Sequence, residues 1–333
     1  MEPLNSNPSD CGPHEYRARR ILVTGGAGFI GSHLVRRLVL NGHKSITVLD
    51  NMSRGQAANL ADVWDAVGFL RVDIRCRHAV DRLVKNTDLI FHLAAQANVI
   101  GAVEDVDYSS STNIAGTAVV LQAARAAGVR RVVFTSSREV YGEPADLPVP
   151  ETAPLCPKNA YGMSKVAGEM CCRMYTGDGL ETVIVRLANV YGSGDHGRVI
   201  PLFVENALKG RPLTLYGGNQ ILDFVPVDHV VDALLKAGFE QHIASPVNIG
   251  SGRGTSIGEL AERILELTDS RSKVSRKPSR NLDVVRFVAD TTKARTLLGL
   301  EHPNDPLCRL PELIAQATCG ILPARELSRG IAV

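Results

Sequence analysis

Short apolar runs rich in β-branched residues alternate with stretches whose apolar positions recur every three to four residues. Residues 20–24 (Arg-Ile-Leu-Val-Thr) predict a buried strand, and residues 28–41 predict a helix with Ile30, Leu34 and Leu38 on one face. Further strands are predicted at 45–49, 69–72, 89–92, 131–135 and 181–186, with helices at 111–127 and 161–175. Strands that are apolar along most of their length suit a parallel sheet covered on both faces, since alternation is expected only where one face meets water. Right-handed crossovers then make this an α/β fold built on a doubly wound parallel sheet.

Beyond about residue 190 the texture changes. Glycine-rich turns at 192–195 and 217–219 punctuate shorter elements, and helices are predicted at 257–267, 291–298 and 305–317. Segments 226–237 and 246–249 are expected to return to the first domain. The expected division is therefore a dinucleotide-binding domain over 19–190, with returning segments at about 224–250, and a smaller interleaved α/β substrate lobe from 191–223 and 251–320. Residues 1–18 are expected to be a mobile arm and 321–333 a tail.

Composition narrows the function classes. The chain has 333 residues, 44% of them hydrophobic, enough for a sizeable core in two lobes. Thirty-seven Lys and Arg against 35 Asp and Glu leave no electrostatic footprint for nucleic acid or an anionic membrane. The basic cluster at 271–286 is expected to be a solvated loop. Seven cysteines without a CxxC pair argue against a disulfide framework, and the nine histidines lack metal-ligand spacing. The first residues hold no apolar signal core, and no apolar run approaches the ~18 residues of a membrane span. A cytoplasmic protein without a metal is expected.

The clearest chemical signal lies at residues 24–31, Thr-Gly-Gly-Ala-Gly-Phe-Ile-Gly, between the first strand and the first helix. Gly26, Gly28 and Gly31 satisfy GxGxxG; Gly25, Gly28 and Gly31 satisfy GxxGxxG. Such a turn lets a pyrophosphate approach the backbone and rest on the helix N-terminus, as in Rossmann folds. Asp50 ends the second strand, 19 residues beyond Gly31. A carboxylate there accepts the adenosine ribose hydroxyls and repels a 2′-phosphate, which favours NAD, although nearby Arg54 is able to receive that phosphate.

Tyr161 and Lys165 stand four residues apart on one predicted helix face. A phenol titrates near pH ~10 in water, and a neighbouring ammonium together with a positive nicotinamide ring would lower that value toward a working base. Thr135, Ser136 and Ser137 place hydroxyls at the carboxyl edge of the sheet, where such folds bind ligands.

These motifs resemble the extended short-chain dehydrogenase/reductases that act on nucleotide sugars as epimerases and dehydratases. The resemblance covers roughly residues 20–318 and includes further segments at 50–55, 72–74, 92–96, 134–142, 186–192, 199–201, 223–228 and 289–290. It implies that Gly25, Gly28, Phe29, Ile30, Gly31, Asp50, Asn51, Ser53, Arg54, Gly55, Asp73, Ile74, Leu93, Ala94, Ala95, Gln96 and Thr135 surround NAD. Ser137 would bind the sugar hydroxyl being oxidised, Tyr161 would take its proton, and Lys165 would orient the nicotinamide ribose. Arg138, Asn189, Arg198, Val199, Leu215, Tyr216 and Arg280 would lie around the nucleotide-diphosphate sugar. The resemblance also implies a homodimer, for which the apolar faces of the 111–127 and 161–175 helices are suited.

Two positions depart from the family pattern. The 4,6-dehydratases carry Asp-Glu after their threonine; here the pair is Arg138-Glu139, and an arginine cannot donate a proton at neutral pH. Glu139 remains a candidate acid/base, and Arg138 is chemically suited to a uronate carboxylate. The second departure is Leu222, where the family usually has an arginine on the diphosphate. The leading expectation is an NAD-dependent epimerase at C4 of a UDP-hexose or UDP-hexuronate. A dehydratase or decarboxylase using Glu139 is the alternative within the enzyme class, and an NAD-binding regulatory protein the alternative outside it.

Overall fold

The computed structural model describes residues 20–177, 179–239, 243–279 and 284–320. The expected arm and tail and Arg280 lie outside the described residues. Six parallel strands come first: β1 (Ile21–Thr24), β2 (Ile46–Asp50), β3 (Gly68–Arg71), β4 (Leu89–His92), β5 (Arg131–Ser137) and β6 (Glu181–Leu187). Four short strands follow, β7 (Asn189–Tyr191), β8 (Leu213–Tyr216), β9 (Ile221–Leu222) and β10 (Phe224–Pro226), before β11 (Val247–Ile249) returns to pair with β6. The sheet order is β11-β6-β5-β4-β1-β2-β3. Strand order reverses between β1 and β4, so their carboxyl ends flank a crevice at the topological switch point.

The doubly wound sheet expected from the apolar runs is present, and β1 shows why. Ile21 and Val23 face one layer with Leu34 and Leu38, while Leu22 faces the other with Val80, Val120 and Leu121. The first layer contains α1 (Phe29–Leu40); the second contains α2 (Arg77–Val84). Two short helices, α3 (Val99–Glu104) and α4 (Val106–Ser110), precede α5 (Thr117–Ala126) and α6 (Ala160–Tyr175) on that second face. Each such side chain, fully buried, contributes about 1.5–3 kcal/mol of hydrophobic stabilisation.

A separate core, built from Phe203, Leu213, Leu215, Leu222, Leu260 and Ile264, organises the later elements. These are α7 (Val199–Leu208), α9 (Ile257–Leu267) and α11 (Leu310–Thr318), with α8 (Val227–Phe239) and α10 (Thr292–Leu298) packed toward the sheet. The strands β12 (Thr255–Ser256) and β13 (Val274–Lys277) pair with β9 and β8.

Two helices differ from their sequence expectation. The one expected at 111–127 opens with a widened π-helical turn over Ser111–Gly116. Within it, the Asn113 side chain bonds the backbone of Gln96 in both directions (2.7 and 3.1 Å) and donates to Ser164 (2.9 Å). The last helix starts at Leu310 rather than 305, because the Asp305 carboxylate takes the Leu307 N–H (2.9 Å) in a preceding turn.

Candidate active site

A cavity of about 300 Å³ runs along the switch point, from the glycine turn past Ser137 and Tyr161 to Arg198. At its cofactor end the turn is forced by space. Gly25 has φ +73°, and a Cβ there would lie 2.7 Å from the Ala94 nitrogen. A Cβ on Gly31 would lie 2.1 Å from the Gly25 carbonyl oxygen. Gly28 precedes α1 as its cap residue and lines the cavity, so the helix N-terminal amides are presented to it.

Asp50 is buried, and each oxygen takes one backbone donor: Ala27 N–H (3.0 Å) and Met52 N–H (2.8 Å). Its remaining lone pairs stand beside the cavity. This is the donor-acceptor set a dinucleotide requires: amides for phosphate at one place and an oriented carboxylate for ribose hydroxyls at another. Phe29, Ile30, Asn51, Ser53, Arg54, Gly55, Ile74, Leu93, Ala94, Ala95 and Thr135 also line the cavity. The residues present therefore fit NAD.

Asp73 and Gln96 do not line it. Arg75 grips the Asp73 carboxylate with two guanidinium contacts and its backbone N–H, all at 2.9 Å, and Asn51 adds a fourth, which holds this acid well below the usual carboxylate range. Arg54 acts electrostatically on Tyr161 and on Asp195, on the catalytic side of the cleft.

At the catalytic end, β5 delivers Thr135 and Ser137, and α6 delivers Tyr161 and Lys165. Asn159 caps α6, its side-chain oxygen accepting the Gly162 N–H at 2.8 Å. Ser137 lies beside the Tyr161 phenol and favours its ionised form. Lys165 is buried and donates to the Thr135 carbonyl at 2.8 Å, with its ammonium 5.0 Å from the Phe134 ring centre and 5.8 Å from that of Tyr161.

Burial dominates both titrations. It pushes Tyr161 up to about 12, with Arg198, Ser137 and Arg54 opposing it, and it brings Lys165 down to about 8. The expected lowering of Tyr161 by Lys165 is thus not what the protein alone provides. The lysine is turned toward Thr135, and the cations that favour the phenolate are Arg198 and Arg54.

Arg138 and Glu139 are both buried and line the cavity. They pair with each other, Arg138 Nη2 to Glu139 Oε1 at 3.0 Å, while Asn159 donates to Glu139 Oε2 at 2.8 Å. Both carboxylate oxygens are therefore held by fixed donors. Asn159, which the motifs did not single out, binds α6 and Glu139 at once.

A second buried network stands behind the site. Glu169 accepts from Ser136 (2.6 Å) and twice from Arg186 (2.8 and 2.7 Å), and Arg186 continues to the Tyr141 hydroxyl (2.8 Å). Glu169 continues the Tyr161 and Lys165 spacing by one more turn, a signal available in the sequence.

On the substrate side, Asn189, Arg198 and Val199 line the cavity, and the Asn189 Oδ1 is buried without a hydrogen-bond partner. Leu215 and Tyr216 do not line it. Leu215 belongs to the second core, and Lys277 lies over the Tyr216 ring at 5.8 Å. Leu222 is likewise in that core. Arg198 leans on the cofactor side, its guanidinium 5.7 Å from the ring centre of Phe29. Asp195 and His196 line the cavity as well, and the motifs did not identify them.

Comparison with known proteins agrees with this geometry. Residues 21–250 match the NAD dependent epimerase/dehydratase family. A UDP-glucose 4-epimerase from Mycolicibacterium smegmatis is 39% identical over 307 residues, covering 89% of this chain and 96% of its own. The crystal structure of a UDP-glucose 4-epimerase with UDP-glucose from Thermotoga maritima superposes with a TM-score of 0.86 at 34% identity, covering 91% of this chain and 99% of its own. A dTDP-glucose 4,6-dehydratase from Streptomyces venezuelae with NAD bound gives 0.85 at 33%, covering 90% and 97%. With its glycine turn and its Ser137, Tyr161 and Lys165 assembled on one crevice, the chain belongs to the NAD dependent epimerase/dehydratase family.

Proposed function

We propose that the protein inverts C4 of a UDP-hexose or UDP-hexuronate through a transient 4-keto sugar. The observation that carries this reading is the engagement of Glu139 on both oxygens by Arg138 and Asn159. A carboxylate held in this way is poorly placed to remove a C5 proton, which a dehydratase requires. Ser137 and Tyr161 then remain as the groups that handle protons at the sugar.

Ser137 orients the C4 hydroxyl, and Tyr161 accepts its proton as C4 is oxidised. NAD, when bound, supplies the hydride acceptor and the hydride donor for the two halves of the reaction. Tyr161 returns the proton after the keto sugar has presented its other face. Arg198 and Arg54 favour the phenolate that this exchange needs. Asn189, at the end of the NAD-binding domain, and Val199, in the substrate lobe, serve the nucleotide-diphosphate moiety.

The domain division expected from the sequence belongs to the same reading, with Asn189 at the end of the NAD-binding domain and Val199 on the smaller lobe. A homodimer in the cytoplasm is also part of it. Met163, Met170 and Met174 form an exposed apolar stripe along α6, with Val103 and Val106 exposed nearby in sequence on α3 and α4. The six cysteines among the described residues are free.

Incubation with a panel of nucleotide sugars in D2O, followed by proton NMR, tests the reaction. Inversion at C4 without deuterium incorporation is expected. Deuterium at C5 or C6, or loss of water or carboxylate, would favour the lyase alternative.

A further inference from the structure

Residues 192–198 connect β7 to α7 and wrap onto the NAD-binding lobe. The chain turns at Gly194 (φ +81°) and Gly197 (φ +72°). Two contacts dock it on the first turns of α1. His33 Nε2 is hydrogen-bonded to the Ser193 carbonyl at 2.8 Å, and the Arg198 guanidinium lies over Phe29, itself edge-on to His33 at 5.8 Å. Phe29 directly follows Gly28. Five consecutive residues, Gly194 to Arg198, line the same cavity as the glycine turn. The segment thus forms a wall of the dinucleotide cavity and joins the two lobes across it.

Asp195 is the unexpected member of this segment. It is 4% exposed, its Oδ1 lies 3.6 Å from Arg198 Nε, and its Oδ2 is buried without a partner. Arg198 is further tied by Nη1 to the Val190 carbonyl at 3.1 Å. An acid beside two diphosphate ligands opposes their binding through like charge, so its presence calls for a compensating role. Burial pushes Asp195 up to about 6, against the pull of Arg198 and of Arg54. Those two arginines approach from different lobes: Arg54 from the loop after β2, Arg198 from the start of α7.

We propose that residues 192–198 are a strap over the bound dinucleotide, and that Asp195 is the positioning residue that locks it by holding Arg198 against Phe29. The strap confines NAD between turnovers, and its lifting limits NAD release. This rests on the NAD site and not on the choice between epimerase and lyase.

The test uses the purified holoenzyme without any nucleotide sugar. NAD release is followed by dilution, rapid filtration and chromatography of the filtrate. Asp195→Asn and Arg198→Gln are each expected to release NAD about tenfold faster than the unmodified protein, as loss of one partner of a close charge pair acts on dissociation. The double variant is expected to release no faster than the faster single variant. High salt is expected to speed release from the unmodified protein and leave the double variant unaffected. Release at the unmodified rate in both single variants, or effects that multiply in the double variant, would overturn the strap. If Asp195→Asn does not fold, Arg198→Gln decides alone, and unmodified release at every salt concentration overturns it. An unmodified protein that neither retains nor rebinds NAD would overturn the strap together with the cofactor site.

Discussion

Asn159 offers the sharpest test of how the site is held. Its Oδ1 caps α6 through Gly162 N–H, and its Nδ2 holds Glu139 Oε2, both at 2.8 Å. Asn159→Ala removes both bonds. Loss of an N-cap costs about 1 kcal/mol, and leaving a buried carboxylate oxygen without its donor costs about 1–3 kcal/mol, so about 2–4 kcal/mol is expected in all. In urea, with a slope near ~3 kcal/mol/M, the midpoint falls by about 1 M. Asn159→Asp separates the two contributions, because it keeps a capping oxygen for Gly162 but replaces the donor to Glu139 with a like charge. It is expected to be destabilised despite its intact cap. An Asn159→Ala variant within about 0.5 kcal/mol of the unmodified protein, or an unperturbed Asn159→Asp, would refute the double role.

Other outcomes follow from the same geometry. Tyr161→Phe should lower turnover by about 10²–10⁴-fold, the usual contribution of a positioned acid/base, while NAD still binds; this is read by kinetics beside a titration of bound cofactor. His92 lies buried between Thr24 (2.7 Å) and Thr117 (3.0 Å), and burial takes it down to about 3. Between that value and the ~6.5 of an unfolded histidine only the unfolded chain takes the proton, so His92 makes stability fall as pH drops through this window. Urea midpoints from pH 7 to 4.5 should show this slope, and it should be shallower in His92→Gln. Gly31→Ala should disrupt the glycine turn and abolish NAD binding by calorimetry, since its Cβ would stand 2.1 Å from the Gly25 oxygen, a backbone atom.

What was legible in the sequence was mostly local. The glycines at 25, 28 and 31, Asp50 at the end of β2, and the Tyr161–Lys165 spacing each depend on a single turn or helix face. The continuous apolar run of β1 likewise places Ile21 and Leu22 in opposite layers, because successive strand side chains point to opposite faces. Residues whose role arises only when distant segments meet were not legible. Asn159 acquires its second bond because the 138–141 turn packs on the start of α6; a Cβ at Gly162 would lie 2.5 Å from the Glu139 carbonyl oxygen. Asp195 is buried beside Ile200, Pro201 and Val204 of α7 and Leu313 of α11, the last far away in sequence. Arg138 turns inward because Glu139 pairs with it and the Phe287 ring lies 5.9 Å away. Leu215 left the expected substrate set because β8 pairs with β13, and the alternation along that strand directs it into the second core.

In the proposed reaction hydride leaves C4 and returns to C4 of the same sugar. The most direct measurement uses a UDP-hexose or UDP-hexuronate carrying deuterium at C4, with the product examined by NMR and mass spectrometry. An inverted C4 that retains the deuterium, in a product of unchanged composition, is the expected result. Deuterium on another carbon, or a product that has lost water or its carboxylate, would contradict it.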